Sequence, residues 1–230
     1  MNETGNIEPG IDRVTRSRAE TQATYDAISG WYDLLEGVWE RQAKDFGLRQ
    51  LDIKPGELVL EIGVGTGYTV TALARSVNDT GQVYGLDLSP KMLQLTQARL
   101  NKKGVSARVN LTRGDAVRLP FRNDFFDAIF MSFVLELFDT PEIPQVLSEC
   151  QRVLQSEGGR ICLVSLSKAG PSTWMRRLYE WGHRKFPNFL DCRPIFVQSA
   201  LDNAGFDTLE ATRMSLWGLP VEIVTAKLAN

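Results

Sequence analysis

Three closely spaced glycines, and an acidic residue downstream of them, have the spacing best suited to ligand binding in this chain. Gly63, Gly65 and Gly67 lie in the segment VLEIGVGTG (59–67), between an apolar run and a helical stretch. Glycines at such a turn let the backbone approach a ligand at the sheet edge where open α/β sheets bind ligands. Asp87 ends the next apolar run, 20 residues after Gly67, where a carboxylate can bind both hydroxyls of a ribose. The pattern predicts a nucleoside site.

The spacing and charge of the loop indicate what else the nucleoside carries. The glycines read G-x-G-x-G, not the G-x-G-x-x-G of dinucleotide sites, and Glu61 stands two residues before Gly63. A carboxylate would repel a pyrophosphate, whereas it would attract an ammonium or sulfonium group. The loop therefore favours a nucleoside with a cationic tail, and a nicotinamide-dependent oxidoreductase is the alternative.

The elements that must hold this loop alternate along the chain. Apolar runs at 58–62, 83–88, 107–112, 126–133 and 160–165 predict five strands, separated by helical stretches or loops. Ser89 and Pro90 suit the N-cap and the first position of the helix 90–102. Two more strands, at about 207–217 and 221–227, follow one another closely. We expect a parallel α/β sheet with an antiparallel hairpin at its edge.

Composition bounds the class of protein. The 230 residues, 43% of them hydrophobic, suffice for one domain with its own core. The 26 basic and 28 acidic residues argue against nucleic-acid binding. His183 is the single histidine, so we expect no imidazole-built metal site. Three scattered cysteines and the lack of an apolar signal or spanning run favour a cytoplasmic protein, with peripheral membrane contact as a further option.

These motifs resemble the class I S-adenosylmethionine-dependent methyltransferases. The features that carry the resemblance are E-x-G-x-G-x-G, the acid ending the second strand, Gly114-Asp115-Ala116 after the third strand, and the closing hairpin. The resemblance is good over about 55–167 and looser elsewhere. It implies a doubly wound, mostly parallel seven-stranded sheet with a C-terminal antiparallel hairpin, and S-adenosyl-L-methionine as cofactor.

The resemblance also implies a role for each matching residue of the loop. Gly63, Gly65 and Gly67, with Val64 among them, would line the methionine part of the cofactor. Glu61 would act through the loop and the amino group of the cofactor.

The other matching residues follow the second, third and fourth strands. Asp87 would bind the ribose hydroxyls, and Leu88 would lie against the adenine. Asp115 would accept a hydrogen bond from the adenine amine, and the backbone N–H of Ala116 would donate one. At the end of the fourth strand, the transferred methyl would be bordered by Ser132 and Phe133.

Within the class, the chain resembles the ubiquinone and menaquinone C-methyltransferases and the small bacterial phospholipid N-methyltransferases. The segments YDLL (32–35), GLDLSP (85–90) and LPF (119–121) carry this resemblance and do not separate the two groups. It implies a small hydrophobic acceptor, either a lipid quinone or an aminophospholipid. A non-catalytic membrane- or partner-binding module on the same fold is a further alternative.

Two residues are candidates for a catalytic role. In the quinone C-methyltransferases an arginine typically follows strand four, whereas the matching stretch 133–137 offers Glu136 and no arginine. Glu136 could act as a general base, hold a cationic amine, or be a solvated acid in a first helical turn. Tyr32 could contact the cofactor or the acceptor, or be a partly buried helix tyrosine.

Helical segments flank the nucleoside-binding part. We predict an N-terminal helical lid segment over 1–51, a cofactor-binding domain over 52–230, and a helical lid at about 171–205. Residues 171–187 carry an aromatic stripe, with four basic residues against one acidic residue. This composition suits either an anionic membrane surface or a lid that packs its aromatic residues on the domain.

Overall fold

A single mixed sheet organises the molecule. The computed structural model describes residues 37–169, 193–216 and 218–229, with side chains from Glu40 onward. Their seven strands lie in the order β3-β2-β1-β4-β5-β7-β6. The bounds are β1 Leu58–Ile62, β2 Gln82–Asp87, β3 Val109–Arg113, β4 Ala128–Ser132, β5 Arg160–Leu166, β6 Phe206–Leu216 and β7 Leu219–Leu228.

Helices cover both faces of the sheet. They are α1 Gly37–Leu51, α2 Tyr68–Ser76, α3 Pro90–Lys103, α4 Ile143–Val153 and α5 Val197–Asn203. The buried residues of α1, α2 and α3 pack into one hydrophobic cluster with one face of the sheet. Those of α4 and α5 pack into a second cluster on the other face. The predicted doubly wound arrangement is therefore confirmed.

The strand pairing places the predicted site at one edge. β1 to β5 pair in parallel, so their carboxyl ends lie on the same side of the sheet. β7 pairs antiparallel with β5 on one side and with β6 on the other, which confirms the C-terminal hairpin. β1 and β4 are neighbours in the sheet, and the strand order reverses direction between them. A crevice opens at such a switch point.

Local sequence explains the best-defined element ends. The Ser89 hydroxyl accepts a hydrogen bond from the Met92 N–H at 3.1 Å, Pro90 starts α3, and Gly104 ends it in a left-handed conformation. The third strand begins at Val109, two residues later than predicted, because 106–108 form a 3₁₀ turn. Every residue of β4 is buried, as expected for a central strand covered on both faces.

α1 and α5 lie within the two segments that the sequence analysis assigns to lids. α1 packs directly on the sheet through Ala43 and Leu51, so this end of the segment 1–51 belongs to the body of the fold. α5 lies inside the predicted lid at 171–205, but Val197 and Leu201 are buried in the sheet cluster shared with α4. The remaining lid residues, 170–192, lie outside the described residues.

Two further features bear on the sequence expectations. Among the helices described, none is long and apolar enough to span a bilayer. Cys150 and Cys162 are buried free thiols, and burial raises the pKa of each to about 12, so both stay protonated at neutral pH.

Candidate functional site

A crevice of about 880 Å³, including its open mouth, lies at the carboxyl ends of β1, β2 and β4. Nine of the residues predicted to bind the cofactor line it: Gly63, Val64, Gly65, Asp87, Leu88, Asp115, Ala116, Ser132 and Phe133. These residues come from four separate stretches of the chain, which the parallel strands bring to one edge. The sequence-based prediction of a common pocket therefore agrees with the geometry.

Hydrogen bonds to β2 and α3 hold the glycine loop on one side, and its other side is open. Gly63 donates its N–H to the Leu86 carbonyl at 2.7 Å, and the Thr96 hydroxyl donates to the Gly65 carbonyl at 2.8 Å. Gly65 has φ +52°, and apart from Gly65 and its two chain neighbours no residue has an atom within 4 Å of the position where a Cβ would stand. The loop thus leaves space for a ligand directly over Gly65.

Gly67, the third glycine of the motif, does not line the crevice. It is the N-cap of α2 with φ +85°, and a Cβ there would lie 3.0–3.1 Å from atoms of Thr96. The lack of a side chain at Gly67 lets α2 and α3 approach each other, so this glycine acts through packing.

Glu61 also lies outside the crevice lining. Its side chain is fully buried on β1, and its carboxylate accepts a hydrogen bond from the Thr69 hydroxyl. Thr69 at the start of α2 lines the crevice in its place. The negative charge of Glu61 lies behind the loop, where it favours a cationic ligand group.

Two carboxylates shape the other end of the crevice. Asp87 accepts the Gly65 N–H at 3.0 Å through Oδ2 and the Ser89 N–H at 2.9 Å through Oδ1. Asp115 accepts the Val117 N–H at 3.1 Å through Oδ1. Carboxylate oxygens are acceptors, which suits the hydroxyl and amine donors of a nucleoside. Leu88, Met92 and Ala116 supply apolar surface beside them.

Phe133 adopts a strained backbone conformation at the crevice wall. Its φ is +56°, and its N–H donates to the Val164 carbonyl at 2.7 Å. A bulky residue in the left-handed region is a true outlier, and such strain is concentrated at functional sites. The conformation turns the chain sharply after β4, so that Phe133, Val134, Leu137 and Phe138 all line the crevice.

Glu136 is fully buried, so the interpretation as a solvated acid is wrong. Its Oε1 accepts the Leu166 N–H at 3.3 Å, and its Oε2 has no hydrogen-bond partner among the described residues. Burial raises the pKa of this carboxyl to about 7, against partial lowering by backbone N–H groups and Ser165, and the Glu40 charge adds to the rise. Glu136 precedes Leu137, which lines the crevice, but is not itself in the lining.

Lys44 also lines the crevice, although the sequence analysis did not identify it. Its side chain is 7% exposed, and its Nζ lies 3.3 Å from Glu40 Oε2 and 5.7 Å from the centroid of the Phe133 ring. Lys44 belongs to α1, before the glycine loop, and no local motif marks it. The sequence signal for Lys44 would have been a lysine on the apolar face of a helix, because lysines are rarely buried without a partner.

Tyr32 and the segment 171–187, which the sequence predicts to be helical, lie outside the described residues.

The lining fits S-adenosylmethionine. The open space over Gly65 suits the sulfonium-linked methionine part, the carboxylates of Asp87 and Asp115 suit the ribose hydroxyls and the adenine amine, and Leu88 and Ala116 supply apolar surface for the adenine ring. The carboxylate of Asp87 accepts the Gly65 N–H, and its negative charge would repel a phosphate at this position.

Comparisons with known proteins agree with this fit. Residues 59–158 match the family model described as a methyltransferase domain. Over 168 residues the chain is 30% identical to the demethylmenaquinone methyltransferase of Lactiplantibacillus plantarum, covering 70% of this chain and 68% of that protein. Over 165 residues it is 34% identical to the ubiquinone/menaquinone biosynthesis C-methyltransferase of Cupriavidus metallidurans, covering 69% and 66%. The matches thus span about two thirds of the relatives' lengths.

A solved structure shows the same fold. An S-adenosylmethionine-dependent methyltransferase from Aquifex aeolicus superposes with a TM-score of 0.62 at 20% identity, covering 86% of this chain and 97% of that one. Sequence, strand order and crevice agree. The chain therefore belongs to the class I S-adenosylmethionine-dependent methyltransferases, the family that includes its menaquinone and ubiquinone relatives.

Proposed function

We propose that this methyltransferase acts on a hydrophobic small molecule, and that its acceptor is a lipid quinone in the reduced form. The observation that carries the proposal is the apolar wall after β4, formed by Phe133, Val134, Leu137 and Phe138 beside the glycine loop. Relatives named for menaquinone and ubiquinone methylation, at 30% and 34% identity, support the same acceptor class.

The bound cofactor supplies an electrophilic methyl group, and this chain supplies position and environment. Asp87 and Asp115 fix the nucleoside, while the Gly63–Gly65 backbone permits its close approach. The wall from Phe133 to Phe138 offers apolar surface to the acceptor and excludes water from the reacting centre.

Methylation of a ring carbon also requires a base for the acceptor's proton. We propose Glu136 for this role, acting through an intervening water because the carboxyl lies behind the crevice wall. Its pKa of about 7 places its change of charge near neutral pH. Tyr32 is proposed as a contact with the cofactor or acceptor.

Transfer of a labelled methyl group tests the proposal. The protein is incubated with methyl-labelled S-adenosylmethionine and either a short-chain demethylmenaquinol or vesicles of phosphatidylethanolamine, followed by mass analysis. We expect label on a ring carbon of the quinol, and none with Gly65→Ala, whose new methyl occupies the cofactor space. Label in phosphatidylethanolamine alone would replace the quinone by an aminophospholipid as the acceptor.

The composition of 171–187 supports delivery of such an acceptor from a membrane surface. Its four basic residues and aromatic stripe suit anionic lipid, and we propose peripheral contact through this segment. We expect the protein to co-sediment with anionic vesicles. The variant in which Arg176 and Arg177 are both changed to Gln should not co-sediment with them. Equal sedimentation with neutral vesicles would contradict the proposal.

A further inference from the structure

We infer that Arg152 and Glu149 of α4 are positioning residues for recognition of the cofactor's base, because together they hold the loop that presents Asp115 and Ala116. The loop comprises residues 114–127 and joins β3 to β4. Neither residue of the pair is among the described residues that line the crevice, so both act through the loop. The inference rests on the base contacts that the family resemblance implies and is independent of the methyl acceptor.

The loop contains no helix or strand from Gly114 to Phe125, so its backbone groups need other partners. Asp115 forms a turn near its start: its Oδ1 accepts the Val117 N–H at 3.1 Å, and its carbonyl accepts the Arg118 N–H at 3.1 Å. Such a turn fixes Asp115 relative to the next few residues only. The position of Asp115 at the crevice therefore depends also on what holds the remainder of the loop.

α4 supplies the partners for that remainder. Glu149 Oε2 accepts the Leu119 N–H at 2.7 Å, and Arg152 Nη2 donates to the Leu119 carbonyl at 2.9 Å. Arg152 Nη1 donates to the Phe121 carbonyl at 2.7 Å and to Asn123 Oδ1 at 3.0 Å. Both backbone groups of Leu119 are thus bound by the pair, and the arginine extends the attachment over the next four residues.

The two side chains of the pair also fix each other. Arg152 donates to both carboxylate oxygens of Glu149, from Nε at 2.7 Å and from Nη2 at 2.8 Å. With its three bonds to the loop, the guanidinium makes five hydrogen bonds, which is its full donor capacity. The hydrogen bond from Arg152 lowers the pKa of the Glu149 carboxyl, so the pair is charged at neutral pH. A planar, doubly bonded pair of this kind holds one orientation.

Packing and one more hydrogen bond connect Leu119 to the residues at the crevice. Leu119 is 3% exposed and belongs to the same buried cluster as Ala116, which is 2% exposed. Between them, the Val117 carbonyl accepts a hydrogen bond from Gln145 Nε2 of α4 at 3.3 Å, while the Val117 N–H donates to Asp115. A displacement of Leu119 would therefore move Ala116 and Asp115 relative to the glycine loop.

Base selectivity separates this role from a purely structural one. S-inosylhomocysteine differs from S-adenosylhomocysteine only in its base, which has a carbonyl in place of the amine and a hydrogen on the neighbouring ring nitrogen. The donor that suits Asp115 and the acceptor that suits the Ala116 N–H are then both lost. By titration calorimetry, the wild type should bind S-adenosylhomocysteine at least about tenfold more tightly than S-inosylhomocysteine. In Arg152→Met this ratio should fall by about tenfold, because the displaced loop no longer distinguishes the bases.

Arg160 offers a matched control at the amino end of β5, away from the crevice. It binds both carboxylate oxygens of Glu57 at 2.9 Å and donates to the carbonyls of Leu51 at 2.7 Å and Asp52 at 2.9 Å. Arg160→Met removes a similar set of bonds and should also destabilise the fold, but it should leave the ratio of the two affinities unchanged. An equal fall of the ratio in Arg160→Met and Arg152→Met would overturn the inference.

Arg152→Lys keeps the charge but cannot reproduce five hydrogen bonds in one plane. Its ratio should lie between those of the wild type and Arg152→Met, at least about threefold below the wild type. This variant decides the question if Arg152→Met does not fold. A ratio equal to that of the wild type would contradict the inference.

Asp115→Asn distinguishes a failure of the inference from a failure of the base contact on which it rests. Its amide offers a donor to the inosine carbonyl, so this variant should itself lower the ratio. Adding Arg152→Met should then lower it little further, because both changes remove the same contact. An unchanged ratio in Asp115→Asn would show that Asp115 does not recognise the base, which overturns both. A lowered ratio there, with an unchanged ratio in Arg152→Met, would overturn the positioning role alone. A failure of the quinol assay would leave these binding results unaffected.

Discussion

Single residues determine what the crevice can bind, and Gly65 shows this most simply. Its φ of +52° is strained for any other residue, and its missing side chain leaves open space for the cofactor. Gly104 at the end of α3 has a similar conformation, φ +70°, with equally open surroundings far along the chain. The two positions therefore differ in ligand contact and not in backbone strain.

We expect Gly65→Ala and Gly104→Ala to destabilise the fold by similar amounts, about 1 kcal/mol each, because both force an alanine into the left-handed region. Only Gly65→Ala should also weaken the binding of S-adenosylhomocysteine. Chemical denaturation and titration calorimetry measure the two effects. Equal affinities in the two variants would mean that the cofactor does not lie over the loop.

Glu136 predicts a dependence of stability on pH. Unfolded, the carboxyl loses its proton near its ordinary pKa of 4.5; folded, it keeps the proton to about 7. Its contribution to stability is thus full below about pH 4.5 and is lost as the pH rises through about 7, a change of about 3 kcal/mol. Glu136→Gln should lack this loss.

The free energy of unfolding, measured by urea denaturation at about pH 5 and about pH 8, checks this. The comparison is between the pH slopes of the wild type and of Glu136→Gln, so that any constant cost of the amide cancels. Parallel slopes would show that Glu136 does not titrate in this range.

The sequence predicted the residues whose type is dictated locally, and it missed those placed by packing. Gly63, Gly65, Asp87 and Asp115 follow strands, so their position is readable from strand ends. Glu61 and Gly67 match the same motif, but the pleat of β1 directs Glu61 under the loop, and α3 covers Gly67.

At the scale of elements, the rotation and distance of α1 on the sheet decide where Lys44 lies. Gly47, one turn after Lys44, faces β4 and β5: a Cβ there would lie 2.7 Å from Val164 Cγ2 and 3.2 Å from Phe130 Cε2. The close approach of the helix thus depends on a glycine in its interior. The sequence predicted a helix here but not its contact face, which depends on side chains distant in the chain.

Gly47→Ala should therefore destabilise the protein, although alanine favours a helix. The overlap costs about 1–3 kcal/mol, which exceeds the gain in helix propensity of about 1 kcal/mol. The shift of α1 should also weaken the binding of S-adenosylhomocysteine, because it moves Lys44, which lines the crevice. Gln42→Ala, at an exposed position of the same helix, is the control. A Gly47→Ala protein more stable than the wild type would contradict this packing.

At the scale of the whole molecule, the C-terminal hairpin completes the core. β7 lies between β5 and β6, and its Ile223 is fully buried in the cluster shared with α1, α2 and α3. Leu209 on β6 is 55% exposed. The antiparallel hairpin was predictable because two apolar runs follow each other with only a short turn between them.

Ile223→Ala should lower the free energy of unfolding by about 2–5 kcal/mol, and Leu209→Ala should change it by less than about 0.5 kcal/mol. Thermal and chemical unfolding of both variants measure this difference. Similar small effects would mean that the hairpin does not contribute to a common core.

Binding of the nucleoside is the property on which the other conclusions depend. Titration calorimetry measures it most directly, with S-adenosylhomocysteine added to one sample of the protein and NADH added to a separate ligand-free sample. The structure predicts one molecule of S-adenosylhomocysteine bound per chain in the micromolar range and no heat from NADH. Absence of S-adenosylhomocysteine binding at millimolar concentration, or tight binding of NADH, would contradict it.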